Sequence, residues 1–550
     1  MMLKQHTRLF GAAVGLAASA VLASAGAAGA SAGPQARSGA VPVLRVNRPA
    51  PAGVTPRALG AVPLRVPDAA VYAAQKAAAD AAAARRAGRP PPPARAAAVL
   101  APAIVRNWAG QRDTTVAPSD STGAIGTTRY VELVNARAAV YSRTSNTPTA
   151  AGVLLQLTGC ATAGCTDNVF DPQVIWDPGT SRFFYAADDI VSSTQNLLDI
   201  GFSTTATPDL SASSWCRFAL NFGSTFPDYP KLGDTQDFML IGSNDFAGPT
   251  FAGSTIAWMS KPPPGPACPA PGTLAVGLSG ALKNADGTAA FTPVPANQTD
   301  TSPAGWAVAR PAAIPPGGAT FLTVFPVTKS ATGAAVIPVT GTSVPVRAFQ
   351  VPASATQPGT ADMLDTLDAR NTQAVSAVDP AHGGVTALWT QHAVFGGAGS
   401  QVRWYEINPA AHALIQHGTL SSASRFTFDG AISPDRRVNG ATSLFGGDMV
   451  IDVVRSSMTT LPAIKAASKI GPNPVSALTA IATSAASDTG FDCLQDAGLC
   501  RWGDYAAATP DPAAPATGTT GQVWGSSMLA APGGSAASSG WTTRNFAIKP

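Results

Sequence analysis

From about residue 104 the chain reads as short runs of alternating apolar and polar positions separated by turn residues. "RYVELVNARAAVYSR" (129–143) holds two such runs, with Tyr130, Glu132 and Val134 opposed in phase to Val131 and Leu133. "DPQVIWDPGTSRFFYAADD" (171–189) is strand, Asp-Pro turn, aromatic strand, and "DYPKLGDTQDFMLIGSNDF" (228–246) repeats the scheme. It returns in "NTQAVSAVDPAHGGVTALWTQH" (371–392), "RVNGATSLFGGDMVIDVVRSS" (437–457) and "RWGDYAAATPDP…GQVWGSSML" (501–529). A period of two over four to eight residues predicts half-buried strands, and hairpin spacing predicts antiparallel pairing. Each unit is too small to bury its own face, so the units must stack on one another. Radial stacking protects the sheet edges. The predicted fold is therefore all-β: a six- or seven-bladed β-propeller of antiparallel four-stranded sheets. Seven blade entries are expected, near Ser121, Asp171, Asp228, Arg310, Asn371, Asn439 and Arg501. Their spacing exceeds the roughly 40–50 residues of common blade repeats, so long loops are expected, "KPPPGPACPAPG" (261–272) among them.

The N-terminal hundred residues follow another pattern. Lys4, His6 and Arg8 precede the apolar run "LFGAAVGLAASAVLA", and "ASA" at 30–32 or 23–25 offers small residues for cleavage. This is the layout of an export signal over 1–32. Its apolar core is too short and too weakly hydrophobic for a transmembrane anchor, and no later stretch reads as a membrane span. Residues 33–103 are rich in Ala and Pro. "VYAAQKAAADAAAARRAGRPPPPARAAA" predicts a short helix over 71–87, stopped by Pro90–Pro93. Without a wide apolar face, this stretch is expected to be a largely disordered linker. The propeller is expected to occupy 104–550.

Composition sharpens the picture. Charged residues make up 12% of the 550, with 53 Gly and 48 Pro, against about 25% charged in an ordinary soluble domain. Glu132 and Glu406 are the only glutamates. Scarce Glu and Lys disfavour long surface helices. Export would remove Lys4 and Arg8 from a net charge of +4, leaving +2, which is no footprint for nucleic acid. The six cysteines, Cys160, Cys165, Cys216, Cys268, Cys493 and Cys500, form an even set suited to an oxidising compartment. Six cysteines allow 15 connectivities. Proximity favours Cys160 with Cys165 and Cys493 with Cys500, leaving Cys216 with Cys268. No C-x-x-C occurs, so a zinc or thioredoxin-type site lacks its usual spacing.

"APSDSTGAIGTTRYVELVNARAAVYSR" (117–143), "DPQVIWDPGTSRFF" (171–184), "DYPKLGDTQDFMLIGSNDF" (228–246), "VRWYEI" (402–407) and "RWGDYAAATPDP" (501–512) together resemble exported bacterial sialidase-like, BNR-type β-propeller proteins, a group mostly of unassigned activity. The resemblance covers roughly 105–550 and implies the propeller fold; it transfers little function, because propellers host hydrolases, lyases and binding modules alike. The sequence departs from the sialidase Asp-box S-x-D-x-G-x-T-W: "SDSTGAIG" (119–126) and "NADGTAAF" (284–291) come near it without fitting its spacing.

The candidate chemistry lies at the blade entries, which a propeller brings to a shared mouth. Asp171, Asp228 and Asp504 are the candidate acid/base residues, since crowded carboxyls can keep a raised pKa. Tyr229, Lys231, Arg310, Arg501, Trp502 and Tyr505 are the candidate ligand-binding residues, the arginines as bidentate anion clamps and Trp502 as a stacking platform for a sugar. The structural alternative is that Asp and Arg at the entries pair with each other and lock blade to blade. Glu132 and Glu406 fall inside strand runs and read as structural. Nothing matches G-x-S-x-G, H-E-x-x-H or G-x-x-x-x-G-K. The histidines outside the signal are His382, His392, His412 and His417; His412 and His417 lack a carboxylate at ligand spacing, and all four read as surface or loop residues. "DTLDARN" (365–371) and "NADGT" (284–288) could gather oxygens around calcium, but Asx-turns explain both. No metal and no cofactor are expected. Two functions fit: a secreted, monomeric module binding a glycan or surface protein through the mouth, or a sialidase-like glycoside hydrolase using paired Asp residues with Arg clamps.

Overall fold

A computed structural model of the chain describes residues 43–55, 59–86, 101–437, 448–513 and 520–550. The expected signal segment lies outside them. Within them, seven antiparallel sheets follow one another along the chain as the blades of a propeller. Their innermost strands are Thr122–Ile125, Val169–Asp177, Thr225–Asp234, Ala290–Pro295, Asn371–Asp379, Phe426–Pro434 and Ala507–Pro510. Each touches the next, and the last touches the first, so the ring is closed.

The strands form where β-branched and aromatic residues alternate, and nearly all are buried on both faces because blade packs on blade. Ile175, Phe184 and Ile200 of blade 2 pack against Leu232, Met239 and Ile241 of blade 3. Phe238, Leu240 and Trp258 of blade 3 meet Ala307, Phe325 and Val327 of blade 4. Trp389 and Trp404 of blade 5 meet Ile432, Ile451 and Val453 of blade 6.

Blade 7 joins the two ends of the domain. Ala507–Pro510, Val523–Ala530 and Trp541–Lys549 supply three strands, and Ala103–Ala109 pairs antiparallel with Trp541–Lys549 as the outermost. Trp108 of that strand packs with Ile125, Tyr130 and Tyr141 of blade 1 and Trp524 of blade 7.

Two blade entries differ from those expected. Arg310 lies on the second strand of blade 4 (Gly305–Pro311), whose innermost strand begins at Ala290. Asn439 lies outside the described residues, and blade 6 begins at Phe426. The six cysteines pair as Cys160–Cys165, Cys216–Cys268 and Cys493–Cys500, which is the pairing favoured by proximity.

The stretch 33–103, expected as a linker, is ordered structure along much of its described part. Val43–Val46 pairs with Phe218–Asn221 as a fifth strand of blade 2, and Gly60–Ala61 pairs parallel with Val116–Ala117. A helix, α1, spans Ala69–Arg86. Asp68 caps it by accepting the Val71 amide at 3.0 Å. An apolar stripe was not needed to dock it: Ala79 and Ala83 are small enough to sit against the blade loops, and Lys76 is buried as an ion pair.

Candidate functional site

Four innermost strands break their ladders at one equivalent place. Asp171 (φ 50°), Tyr229 (φ 61°), Thr292 (φ 54°) and Asp429 (φ 43°) leave the extended conformation for a single residue, and the pairing register shifts beside each. Such bulges re-aim a side chain, here toward the axis at one end of the ring. Left-handed backbone at a non-glycine residue costs on the order of 1–3 kcal/mol, so neighbouring contacts must hold it. The Asp171 amide donates to Asn135 Oδ1 at 2.8 Å and the Thr292 amide to Asn244 Oδ1 at 2.7 Å.

The bulges and the loops before blades 1, 5 and 7 build one buried cluster. Arg501 donates through Nη1 to Asp365 and through Nη2 to Asp504 at 2.7 Å. Asp368 receives Arg310 Nη2 at 2.6 Å and Arg370 Nε at 2.8 Å. The Asp504 amide donates to Asp120 Oδ1 at 2.8 Å. Tyr229 stacks on Tyr505 at 4.7 Å between centroids. Tyr505 donates its hydroxyl to Asp171 Oδ2 at 3.0 Å, and Tyr229 donates to the Asp504 carbonyl at 2.6 Å. Lys231 Nζ, with no hydrogen-bond partner, lies 3.5 Å from the Tyr505 ring centroid and 4.2 Å from that of Tyr229.

The electrostatics follow from burial. Asp228 and Asp504 are each pushed up to about 7 by loss of water, Arg370 and Arg65 resisting at the first and Arg501 at the second. Asp171 is raised by burial and by the charges of Asp504 and Asp228. Burial drives the Lys231 ammonium well below its ordinary range, against the pull of Asp504 and Asp171. At Asp368 burial is outweighed by Arg310 and Arg370, which hold the carboxylate ionised.

The expected residues Asp171, Asp228, Asp504, Tyr229, Lys231, Arg501 and Tyr505 are thus brought together, and Arg310 joins them through Asp368. Trp502 does not offer a platform. It is 1% exposed, donates Nε1 to Asp429 at 3.1 Å and meets Phe428 edge-on; both ring faces are inside the protein. Asp120, Asp365, Asp368, Arg370 and Asp429 were missed. The repeated triplets Phe170-Asp171-Pro172, Phe291-Thr292-Pro293 and Phe428-Asp429-Gly430 were the signal that could have found the bulges. "DTLDARN", considered for calcium, is instead the hub of the arginine pairs.

The mouth above this cluster is filled by the N-terminal segment. The Val62 carbonyl accepts Arg501 Nε at 3.0 Å, and the Arg65 carbonyl accepts Arg370 Nη2 at 2.7 Å. The Arg65 side chain stands 3.7 Å from Asp228 and over the Phe226 ring. Lys76 of α1 donates to Thr366 at 2.8 Å and lies 3.6 Å from Asp365. Behind Lys231, along the axis, the free space is about 20 Å³, room for a single water. A larger cavity of about 420 Å³ opens at the other ends of blades 2–4, lined by Arg182, Asp237, Phe238, Lys261, Pro263 and Lys329. Lys261 is held there by Asp177 and Asp234 at 2.9 and 2.8 Å. Arg182 keeps Nη1 without a partner.

No family model matches the chain, and no curated protein does. Solved structures give distant likenesses. An apocarotenoid oxygenase of Synechocystis is 11% identical over 66% of this chain and 70% of its own, with a TM-score of 0.36. An α-L-arabinofuranosidase of Fusarium graminearum is 9% identical over 67% and 97%, with a TM-score of 0.34. An exo-β-1,3-galactanase of Clostridium thermocellum is 9% identical over 64% and 76%, with a TM-score of 0.28. The propeller therefore rests on the sheets described above.

Proposed function

We propose that the protein is an exported propeller that acts by binding a glycan or a protein rather than by catalysis. One observation carries the reading: the carboxylates that a hydrolase would turn toward substrate are enclosed by the chain's own N-terminal segment and already engaged, Asp228 by Arg65, Asp504 by Arg501 and Asp171 by Tyr505. Three disulfides suit an oxidising compartment, and no helix among the described residues is long and apolar enough to cross a membrane. With the mouth filled, the ligand surface is the cavity at the opposite ends of blades 2–4. Its about 420 Å³ falls within the ordinary size of a ligand site, and Arg182, Lys261 and Lys329 line it with positive charge.

The second reading, glycoside hydrolysis, is favoured by Asp171, Asp228 and Asp504 lying together with pKa values raised toward neutrality, as a general acid requires. One experiment separates the two. Wild type, the plug-loosening Arg65→Ala/Lys76→Ala variant and Asp228→Asn are assayed on a panel of chromogenic glycosides and on an immobilised glycan array. Binding without turnover in the first two proteins, weakened by Arg182→Ala, is the expected result. Turnover that Asp228→Asn abolishes would overturn it.

A further inference from the structure

Blade 5 gathers three donors far from the axial cluster. Its innermost strand leaves that cluster at Asn371 and ends at Asp379. At about 3.3 Å per residue, this places Asp379 roughly 26 Å from the mouth. The Asp379 carboxylate caps the turn Pro380–His382 by accepting the Ala381 amide at 2.8 Å. The turn folds His382 back, so that its Nδ1 stands 2.5 Å from Asp379 Oδ2. Glu406 arrives from the third strand, Gly399–Asn408, with 0% exposure. One of its oxygens accepts Gln416 Nε2 at 2.5 Å, and the other, Oε1, has no hydrogen-bond partner. One ligand atom from each of Asp379, His382 and Glu406 lies within 4.8 Å of the others.

Two neighbouring carboxylates, one wholly buried and half unsatisfied, do not stay side by side as bare anions: a proton or a cation must lie between them. Lys469, the ammonium that approaches from blade 6, donates to the Gly471 carbonyl. The His382 side chain is 49% exposed, which leaves the group a path to solvent. Two carboxylate oxygens and an imidazole nitrogen, with water in the fourth position, make an open site for a borderline divalent ion; calcium prefers oxygen donors throughout. The three donors lie within 4.8 Å of one another and would draw in to bonds of about 2.1 Å on binding one ion.

We propose that Asp379, His382 and Glu406 form a zinc-class metal site that ties the first turn of blade 5 to its third strand. The test is calorimetric titration of the EDTA-treated, dialysed full chain with ZnCl₂ and, separately, CaCl₂. The expected result is one zinc site, weakened about tenfold or more in His382→Ala and Glu406→Gln, retained in His412→Ala/His417→Ala, and not filled by calcium. Zinc is also expected to raise Tm in wild type and not in His382→Ala. His382 is half-exposed, so that variant keeps its fold even where Glu406→Gln does not. Zinc binding unchanged in His382→Ala, equal binding of calcium, or no zinc binding by wild type would each overturn the proposal.

Discussion

At the scale of single residues, this protein concentrates its strain and its charge in the same place. The side chains at the bulges are held by partners on adjacent elements, and the arginines are the most connected of these. Arg501 touches Asp365, Asp504 and the Val62 carbonyl, so it binds the last blade, the loop before blade 5 and the N-terminal segment at once. Removing one member of a buried ion pair leaves the other charged and dry, which costs about 3–5 kcal/mol. Arg501→Ala is therefore expected to lower unfolding free energy by that amount in urea titrations, and Arg501→Lys by a large part of it, because an ammonium cannot span both carboxylates. Lys329→Ala serves as the contrast: its pair with Asp237 is half-exposed and is worth under about 1 kcal/mol. Equal losses for Arg501→Ala and Lys329→Ala would show that the axial cluster does not hold the ring together.

Among the elements, the strand Ala103–Ala109 has the largest structural leverage for its length. It adds an N-terminal strand to the outer edge of the last blade, since its partner strand, Trp541–Lys549, is the last in the chain. Trp108 is 3% exposed and meets Tyr130, Tyr141 and Trp524 edge-on at 5.6, 5.7 and 5.9 Å. Trp108→Ala is expected to cost about 3–5 kcal/mol and to raise protease sensitivity at both ends of the domain, as read by limited proteolysis; a loss below about 1 kcal/mol would show that this strand contributes little to holding blade 7 against blade 1. This strand marks the boundary between what could and could not be read from the sequence. The alternation in 129–143 or 371–392 is local, so the strands and their hairpins were legible. The place of 103–109 depends on pairing across more than four hundred residues, which no period reveals. The docking of α1 was hidden for a related reason: its burial runs through Lys76 and two alanines rather than a hydrophobic stripe. Of the site, the charged blade entries were legible as Asp171, Asp228 and Arg501, whereas Arg370 and Asp368 sat in a segment whose clustered acids suggested an Asx-turn. Trp502 was misread because an Arg and an Asp beside a Trp look the same whether the ring faces solvent or a buried carboxylate.

For the whole molecule, these buried acids set a pH dependence whose direction can be worked out. Burial pushes Asp228, Asp504 and Asp245 up to about 7 and Asp234 up to about 6, while the same side chains in an unfolded chain titrate near 3.9. The folded state thus holds protons that the unfolded state releases, and stability falls as pH rises from about 4 to 7. Asp368 runs the other way: Arg310 and Arg370 depress it despite burial, so its contribution is complete above about pH 4 and lost in stronger acid. His392, lowered to about 3 by burial, and Lys231, also lowered by burial, favour higher pH. They are outnumbered by the raised carboxyls. The expected outcome is a urea midpoint higher at pH 5 than at pH 8 at constant ionic strength. Asp228→Asn removes one of the groups responsible, so the difference between the two midpoints should narrow in that variant. A midpoint that rises from pH 5 to pH 8 in wild type would mean that water or counter-ions reach the axial carboxylates, and that the N-terminal plug is open in solution.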